Sequence, residues 1–526
     1  MLSVTRLSLL FLIFAGCARR SCPDCAPRTC PPLQRDVTGG WRFVDVSSAA
    51  GVAIHHGYAE GTPGEPKRFA AGIAAGDVDG DCDLDLYITT GDLRPEPLLL
   101  NRGDGTFVEA ADAGVDRFFV SSAPQFADLD GDLDLDLVVG SVGGGPTSVL
   151  LNDGQGRFTE AALGVDTATR NTYATSTVDL EGDGDLDLVF SRWHLDEAGV
   201  ADPRRVWRND GETFTDISLD VGLPAGMQFD FSPRFADLDG DGDPDLALAS
   251  DFGSSAVYLN DGGQLRGVAP GDLTDENGMG SALGDIDGDG DLDWFVTSVL
   301  GPEPPADVEP WGRTGNRLYR NDGGGRFTDI SEGAGVRDGG WGWGSCLGDL
   351  DNDGRLDIYH VNGFTSARAP TSFATDSARL FYALEDGTFV DRAAELGVGD
   401  DGLGRGVLCQ DVDRDGDLDL LVAVANGTTR LLRNDGVTGH FVEVLAPVGT
   451  QVRVAAAGTQ WFREVTGGGS FQSGEPPEVH VGLGDATRID RLEVRLADGT
   501  TDVWVDIAAD QIIDVRGEGL WARASR

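Results

Sequence analysis

The most regularly spaced carboxylates of this chain lie in seven copies of one short acidic motif. Each copy has acidic side chains at positions 1, 3, 5 and 9 of a nine-residue segment, and the first copy reads Asp-Val-Asp-Gly-Asp-Cys-Asp-Leu-Asp. The copies, numbered here as loops 1 to 7, start at Asp77, Asp128, Asp179, Asp237, Asp285, Asp349 and Asp411. Alternate side chains of a tight loop converge, so each copy can surround a hard cation with oxygen atoms.

Calcium is the cation that this pattern predicts. Ca²⁺ takes about six to eight oxygen ligands, and each loop offers four carboxylates and a backbone carbonyl at position 7. The predicted ligands are Asp77, Asp79, Asp81 and Asp85 in loop 1; Asp128, Asp130, Asp132 and Asp136 in loop 2; Asp179, Glu181, Asp183 and Asp187 in loop 3; Asp237, Asp239, Asp241 and Asp245 in loop 4; Asp285, Asp287, Asp289 and Asp293 in loop 5; Asp349, Asp351, Asp353 and Asp357 in loop 6; and Asp411, Asp413, Asp415 and Asp419 in loop 7.

An EF-hand is the rival calcium motif, and the sequence argues against it. An EF-hand needs a bidentate Glu at position 12. The seven copies have apolar residues or His there, namely Ile88, Val139, Phe190, Leu248, Val296, His360 and Val422. The other reading is that the motifs are polar turns without metal, but four spaced acids in every copy would repel one another.

The seven loops are not equivalent. Loops 4 to 7 fit the calcium pattern best, whereas Glu181 replaces Asp at position 3 of loop 3. Position 6 needs a glycine-like turn, and Cys82 and Leu133 at that position leave the geometry of loops 1 and 2 open. We therefore expect five to seven structural calcium ions.

The elements that must position these loops are short β-strands in a repeat of about 50 to 60 residues. Each motif is followed by a β-type run such as residues 135–139, then by an Asn-Gly hairpin signal such as residues 150–154, and then by a Phe. Three or four strands per repeat are typical of a propeller blade. Residues 43–45 look like a last strand placed ahead of loop 1, which would close the ring and hide its edges. The sequence thus predicts an all-β, seven-bladed β-propeller.

The repeats resemble the FG-GAP or VCBS repeats of integrin α-subunit propellers and of bacterial cartilage-acidic-protein-like lipoproteins, over about residues 41 to 445. The pattern changes after Phe441, and residues 473–474, 480–484 and 489–494 resemble an ASPIC/UnbV domain, with Val481 where that family usually has Phe. This second resemblance implies a small β-rich module docked on the propeller.

The N-terminus predicts export and a lipid anchor. Arg6 and the apolar residues 7–14 are typical of a signal peptide. Residues 14–17 resemble a bacterial lipobox, which implies lipidation of Cys17 and an outer-membrane or cell-surface location. The predicted division is residues 1–16 as signal peptide, 17–40 as tether, 41–446 as propeller, 447–516 as ASPIC/UnbV domain and 517–526 as tail.

The seven cysteines allow several interpretations. Cys22, Cys25 and Cys30 in the tether would form a disulfide or a partner contact rather than a zinc site, because no fourth ligand is evident. Their individual roles stay open. Cys82, Cys346 and Cys409 are far apart in sequence, and we expect them to be small buried residues.

Composition and the absence of catalytic motifs favour a binding role. A formal charge of −49 excludes nucleic-acid binding, which needs clustered Lys and Arg. The sequence contains no nucleophile elbow, metalloprotease helix or phosphate-binding loop. We expect a monomeric scaffold that binds an extracellular or periplasmic protein or glycan and contacts the membrane only through its lipid. Insertions at about 191–205, 299–316 and 362–379 should lie on the face opposite the acidic loops.

Two alternatives remain open at this point. The first is a polysaccharide lyase or hydrolase on the same propeller, with candidate acids in the insertions, namely Asp196, Glu197, Glu303, Asp307 and Glu309. The second is a structural envelope protein without a specific ligand.

Overall fold

The computed structural model describes residues 29–30, 32, 40–59, 68–116, 119–142, 145–165, 171–193, 205–211, 213–224, 229–269, 273–301, 312–366 and 369–516. The predicted signal peptide, Cys17, Cys22, Cys25 and the tail from residue 517 lie outside these residues. Within the described ranges, no helix is both long and apolar enough to cross a bilayer.

The regular secondary structure of the described chain is nearly all β-strand, which confirms the all-β prediction. Two strands precede the repeats, β1 (Thr29–Cys30) and β2 (Arg42–Asp45). The described α-helices are single turns, α1 (Ser47–Ala50), α2 (Ser331–Ala334) and α3 (Ala393–Leu396), and residues Thr371–Thr375 form a 3₁₀ turn.

The repeats form seven four-stranded antiparallel sheets, one for each acidic loop. Sheets 1 to 4 are β3 (Ile73–Gly76), β4 (Asp85–Ile88), β5 (Leu98–Asn101) and β6 (Phe107–Glu109); β7 (Ser121–Ala127), β8 (Asp136–Ser141), β9 (Ser148–Asn152) and β10 (Phe158–Glu160); β11 (Thr175–Val178), β12 (Asp187–Phe190), β13 (Arg205–Asn209) and β14 (Phe214–Asp216); and β15 (Asp230–Ala236), β16 (Asp245–Ser250), β17 (Ala256–Asn260) and β18 (Leu265–Gly267).

Sheets 5 to 7 follow the same order. They are β19 (Ser281–Gly284), β20 (Asp293–Val296), β21 (Arg317–Asn321) and β22 (Phe327–Asp329); β23 (Gly342–Gly348), β24 (Asp357–Asn362), β25 (Arg379–Ala383) and β26 (Phe389–Asp391); and β27 (Gly404–Gln410), β28 (Asp419–Val424) and β29 (Arg430–Asp435) with β2. The pairing of Phe43 in β2 with Asn434 in β29 confirms the prediction that an early strand completes the last sheet.

The seven sheets form a closed, propeller-like ring. The first strand of each sheet contacts the first strand of the next, and β27 of sheet 7 contacts β3 of sheet 1. Large aromatic residues fill the centre at one end of the ring, including Phe69, Tyr173, Phe231 and Trp343. Their burial provides the largest apolar cluster of the fold.

The C-terminal domain contains two further sheets that pack on each other. Its strands are β30 (His440–Leu445), β31 (Gln451–Ala456), β32 (Thr459–Glu464), β34 (Glu478–Gly484), β35 (Arg488–Arg495), β36 (Thr501–Ala508) and β37 (Gln511–Asp514), while β33 (Ser473–Gly474) leaves the domain and pairs with β3 of sheet 1. The domain begins at His440, a few residues before the boundary we placed at 446. It also includes β1, which pairs with β37.

Residues 466–475, the channel segment, connect β32 to β34 through the centre of the ring. The segment forms hydrogen bonds with all seven sheets, and Phe471 is fully buried among the central aromatic residues. The partners in sheets 1 to 7 are, in order, Ile73, Ala123, Thr177, Arg234, Ser281, Ser345 and Val407. The C-terminal module is therefore threaded into the propeller and not only docked on it.

Two disulfides correct the expectation for three of the cysteines. Cys346 and Cys409 join the inner strands of sheets 6 and 7. Cys82 in loop 1 is bonded to Cys30 of the tether, which places β1 over the same face of the ring. Cys346 and Cys409 are buried as predicted, but all three residues also have disulfide partners more than 50 positions away, brought close by the packing of sheet 6 against sheet 7 and by docking of the tether.

Candidate metal centres

Each acidic loop connects the first and second strands of its sheet, so all seven lie on one face of the ring. In every repeat the position 9 aspartate is the first residue of the second strand, as Asp85 is in β4. The loops therefore hold their carboxylates at equivalent places, and the C-terminal domain covers this face.

The position 9 aspartates are fixed by the same pair of hydrogen bonds in all seven repeats. In loop 1, Oδ2 of Asp85 accepts the N–H of Val78 at position 2, and Oδ1 accepts the N–H of Asn101 in the third strand. The corresponding distances are 2.7 to 3.3 Å in the other loops. These seven side chains are almost fully buried. The position 9 aspartate therefore holds each loop to its sheet. Only the carboxylate lone pairs that accept no hydrogen bond remain for a metal ion.

An asparagine in the third strand, which the sequence indicates only as a turn signal, connects neighbouring sheets. Nδ2 of Asn152 donates to the carbonyl of Leu135 in its own loop and to that of Val78 in the preceding loop. Equivalent inter-sheet bonds of 2.7 to 2.8 Å are made by Asn101, Asn209, Asn260, Asn321 and Asn434. Sheet 6 has Ala383 at this place.

The turn at position 6 is the same in all loops whether or not the residue is glycine. Its φ is 95° at Gly290 and Gly354, and it is 82° at Cys82 and 76° at Leu133. Loops 1 and 2 thus adopt the glycine-type turn that the sequence left open. In loops 2, 3, 5, 6 and 7 the N–H at position 6 donates to Oδ2 of the position 1 aspartate.

Loops 1 and 4 use the C-terminal domain for that hydrogen bond instead. Oδ2 of Asp77 accepts from Arg516 at 2.9 Å, and Oδ2 of Asp237 accepts from Nε2 of Gln451 at 3.0 Å. The N–H of Asp237 also donates to Glu464. The C-terminal domain therefore contacts predicted calcium ligands directly.

Carboxylate oxygens of several loops lie close enough together to bind one cation. Oxygens of Asp77, Asp79 and Asp81 lie within 4.8 Å of one another, as do those of three predicted ligands in each of loops 2, 4 and 5, namely Asp128, Asp130 and Asp136; Asp237, Asp239 and Asp245; and Asp285, Asp287 and Asp289. In loop 3, Glu181 lies 3.5 Å from Nε of Arg208. A substitution at position 3 thus gives loop 3 an ion pair with a neighbouring strand.

Three loops contain buried carboxylate oxygens without a hydrogen-bond partner. They are Oδ1 of the position 3 residues Asp79, Asp351 and Asp413. A buried oxygen without a hydrogen-bond partner destabilises the folded state. A Ca²⁺ ion would provide that partner, because Ca²⁺ prefers charged oxygen ligands. The donor set of these loops therefore fits calcium.

The pKa values of the position 9 aspartates are raised, so the loops disfavour ionised carboxylates when no cation is bound. Burial raises the pKa of Asp85 and Asp187 to about 8, and that of Asp136, Asp245 and Asp293 to about 7. Burial also raises the pKa of Asp357 and Asp419 well above its usual range. Neighbouring carboxylates act in the same direction, while backbone N–H donors act against it.

The opposite face carries an aromatic patch of Trp193, Phe229 and Phe252. Phe252 is 64% exposed, and its ring centroid lies 4.8 Å from that of Phe229. Nε1 of Trp193 donates to Asp251 at 2.9 Å, which fixes the indole. Other aromatic residues near this face, Trp341, Trp343, Phe364 and Phe373, are buried in the core. The candidate catalytic acids at positions 196, 197, 303, 307 and 309 lie outside the described residues.

Comparisons with known proteins identify both parts of the chain. A model described as FG-GAP-like repeat matches residues 77–139, 128–190, 237–296 and 308–360. A model described as ASPIC and UnbV matches residues 445–519. No curated protein sequence matches the chain.

Solved structures align with this chain at low sequence identity. An Agrocybe aegerita protein, solved for its recognition of non-reducing terminal N-acetylglucosamine, is 17% identical, and the match covers 68% of this chain and 85% of that one with a TM-score of 0.38. A Lactobacillus plantarum protein is 15% identical, with 69% and 87% covered and a TM-score of 0.39.

Proposed function

Because this chain is an FG-GAP repeat protein with a C-terminal ASPIC and UnbV domain, we propose that it is an exported, calcium-stabilised scaffold that binds a protein or glycan at the cell surface. The observation that carries the proposal is the set of loop carboxylates described above. They are held by backbone N–H groups in one arrangement, they are partly buried, and some of their oxygens lack a partner.

Calcium would act structurally in this scaffold. The residues at positions 1, 3, 5 and 9 would hold the ion, and when bound it would supply the positive charge that the loops lack. Since each loop joins two strands and packs against the next sheet, satisfying its carboxylates stabilises the ring as a whole. A ligand that binds only the folded state stabilises that state by mass action.

Export and anchoring are supported by the disulfides. Disulfides persist in oxidising compartments and are rare in the cytosol, and Cys30–Cys82 and Cys346–Cys409 are both formed in the fold. The tether that would carry a lipid on Cys17 is bonded through Cys30 to the loop face. An anchored molecule would therefore present its loop face toward the membrane and its opposite face outward.

A partner would bind at the opposite face, because the C-terminal domain occupies the loop face and residues 466–475 fill the central channel. The aromatic patch around Phe252 offers exposed ring surface next to the carboxylate of Asp251. Aromatic rings stack on sugars and anchor peptides with little loss of conformational freedom.

Two measurements on the exported chain test the proposal. Native mass spectrometry of metal-stripped protein titrated with Ca²⁺ should show several bound ions, and Mg²⁺ at equal concentration should not replace them. Binding to a glycan panel and to extracellular protein extracts should be weakened by Phe252→Ala, with the exposed Leu219→Ala as matched control. Absence of bound calcium, or equal binding by both variants, would contradict the corresponding part of the proposal.

A further inference from the structure

Loop 7 packs against an acidic side chain of the C-terminal domain. Glu443 lies on β30 and is 2% exposed, and Asp411, the position 1 residue of loop 7, is fully buried. Glu443 lies 3.1 Å from Arg414 of the same loop, and its carboxyl group interacts with that of Asp411. Two buried carboxyl groups from different domains would repel each other when ionised unless a cation lies between them.

The nearby arginines do not provide enough positive charge. Arg414, at position 4 of loop 7, pairs with Glu443 at 3.1 Å and with Glu478 at 2.9 Å. Arg433 is bonded to Asp435. The loop still contains the carboxylates of Asp411, Asp413 and Asp419. Since burial of unpaired charge is strongly unfavourable, this region is short of a cation.

Independent geometry points to the same place. Oδ1 of Asp413 is buried and has no hydrogen-bond partner. Arg414 also has a φ of 56°, a conformation that L-residues rarely adopt, at a position where loops 1 to 5 have glycine. The loop thus departs from the repeat pattern at the residue that contacts the C-terminal domain.

We infer that Glu443 is a cross-domain ligand of the calcium ion of loop 7, so that this site is completed only when the C-terminal domain is docked. The inference rests on the proposed calcium-binding function and extends it. Calcium binding and docking of the domain are then thermodynamically linked. Docking raises the affinity of loop 7 for calcium by some factor, and bound calcium strengthens docking by the same factor. The ASPIC and UnbV domain would then be held in place by calcium.

The test compares full-length wild type with Glu443→Gln, which keeps the shape of the side chain but loses its charge. Isothermal titration of metal-stripped protein should show that one site of Glu443→Gln binds calcium about tenfold or more weakly, because affinity follows the number of charged ligands. Hydrogen exchange should show that calcium protects β30 and β34 in wild type and less so in the variant. Asp490→Asn, an exposed acid of the same domain, is the control and should behave as wild type.

Asp413→Asn removes a ligand on the loop side and keeps the result interpretable if Glu443→Gln does not fold. It should lose one ion and also the calcium-dependent protection of β30. If wild type binds calcium but Glu443→Gln binds the same number with the same affinities, Glu443 is not a ligand, while the proposed function stands. If Asp413→Asn loses an ion without any change at β30, the coupling is wrong. If wild type binds no calcium, the proposed function itself fails.

Discussion

The guanidinium of Arg516 donates a 2.9 Å hydrogen bond to Oδ2 of Asp77, so a residue at the end of the ASPIC and UnbV domain lies on the first aspartate of the first repeat. Asp77 is 2% exposed at its side chain and Arg516 is 23% exposed. The end of the C-terminal domain is thereby connected to the first repeat across the face that carries the acidic loops.

Replacement of this arginine should reveal competition between a side chain and an ion. Without calcium, Arg516→Met leaves a buried carboxylate without its cation, which should lower the free energy of unfolding by about 1–3 kcal/mol. With saturating calcium the loss should be smaller, because the ion can take over at Asp77. Urea denaturation under both conditions measures this. Arg488→Met, which removes an exposed pair with Asp506, is the control and should change stability by less than about 1 kcal/mol.

The channel segment should tolerate no side chain at its first glycine. A Cβ added at Gly467 would overlap the carbonyl oxygen of Thr177, so Gly467→Ala should destabilise the protein by about 1–3 kcal/mol or more through overpacking. Gly333→Ala in helix α2 meets no atom within 4 Å and should be neutral or slightly stabilising. Equal denaturation midpoints for both variants would show that the segment does not hold the ring together.

The inter-sheet asparagines should matter more than their exposed neighbours. Asn152→Ala would remove the side-chain donor from the buried carbonyls of Leu135 and Val78, of which Val78 keeps the N–H of Gly156 at 3.2 Å, and should cost about 1–3 kcal/mol. Asp153→Ala in the same turn removes an exposed carboxylate and should cost little. Thermal denaturation of both variants in calcium would separate the two effects, and similar melting temperatures would contradict the bridging role.

In the absence of metal, the protein should become less stable as pH rises from 5 to 8. Burial raises the pKa of Asp85, Asp136 and Asp245 to between about 7 and 8, so the fold favours their protonated form. The stability that these groups contribute is complete below their unfolded pKa, near 3.9, and is lost as pH rises through 7 to 8. Melting temperatures in EDTA across this range test the sign.

With saturating calcium the trend should flatten or reverse, since the ion binds the ionised carboxylates and protons compete with it. A melting temperature in EDTA that increases with pH over the same range would contradict this account of the loops.

Local spacing explains why the loops and sheets could be predicted from the sequence. The carboxylates at positions 1, 3, 5 and 9 and the strand that follows lie within a dozen residues of one another, so the pattern and the structure coincide there. The early strand β2 was also predictable, because residues 43–45 repeat a pattern seen at the end of other units.

Long-range packing explains what the sequence did not show. Cys346 and Cys409 meet only because sheets 6 and 7 are neighbours in the ring, and nothing in their local sequence indicates it. Gly467 and Gly468 are glycines because a side chain there would overlap the backbone of Thr177 and Thr175 inside the channel, and their local sequence does not indicate this contact. Glu443 and Arg516 acquire their roles only through docking of the C-terminal domain.

Thermal unfolding of the exported chain in excess EDTA and across a calcium titration, with bound metal counted, tests the central claim most directly. The account predicts a large rise in melting temperature as calcium is added, with five to seven ions bound per chain at saturation. An unchanged melting temperature with little bound metal would contradict it, and the acidic loops would then be turns held by their backbone hydrogen bonds alone.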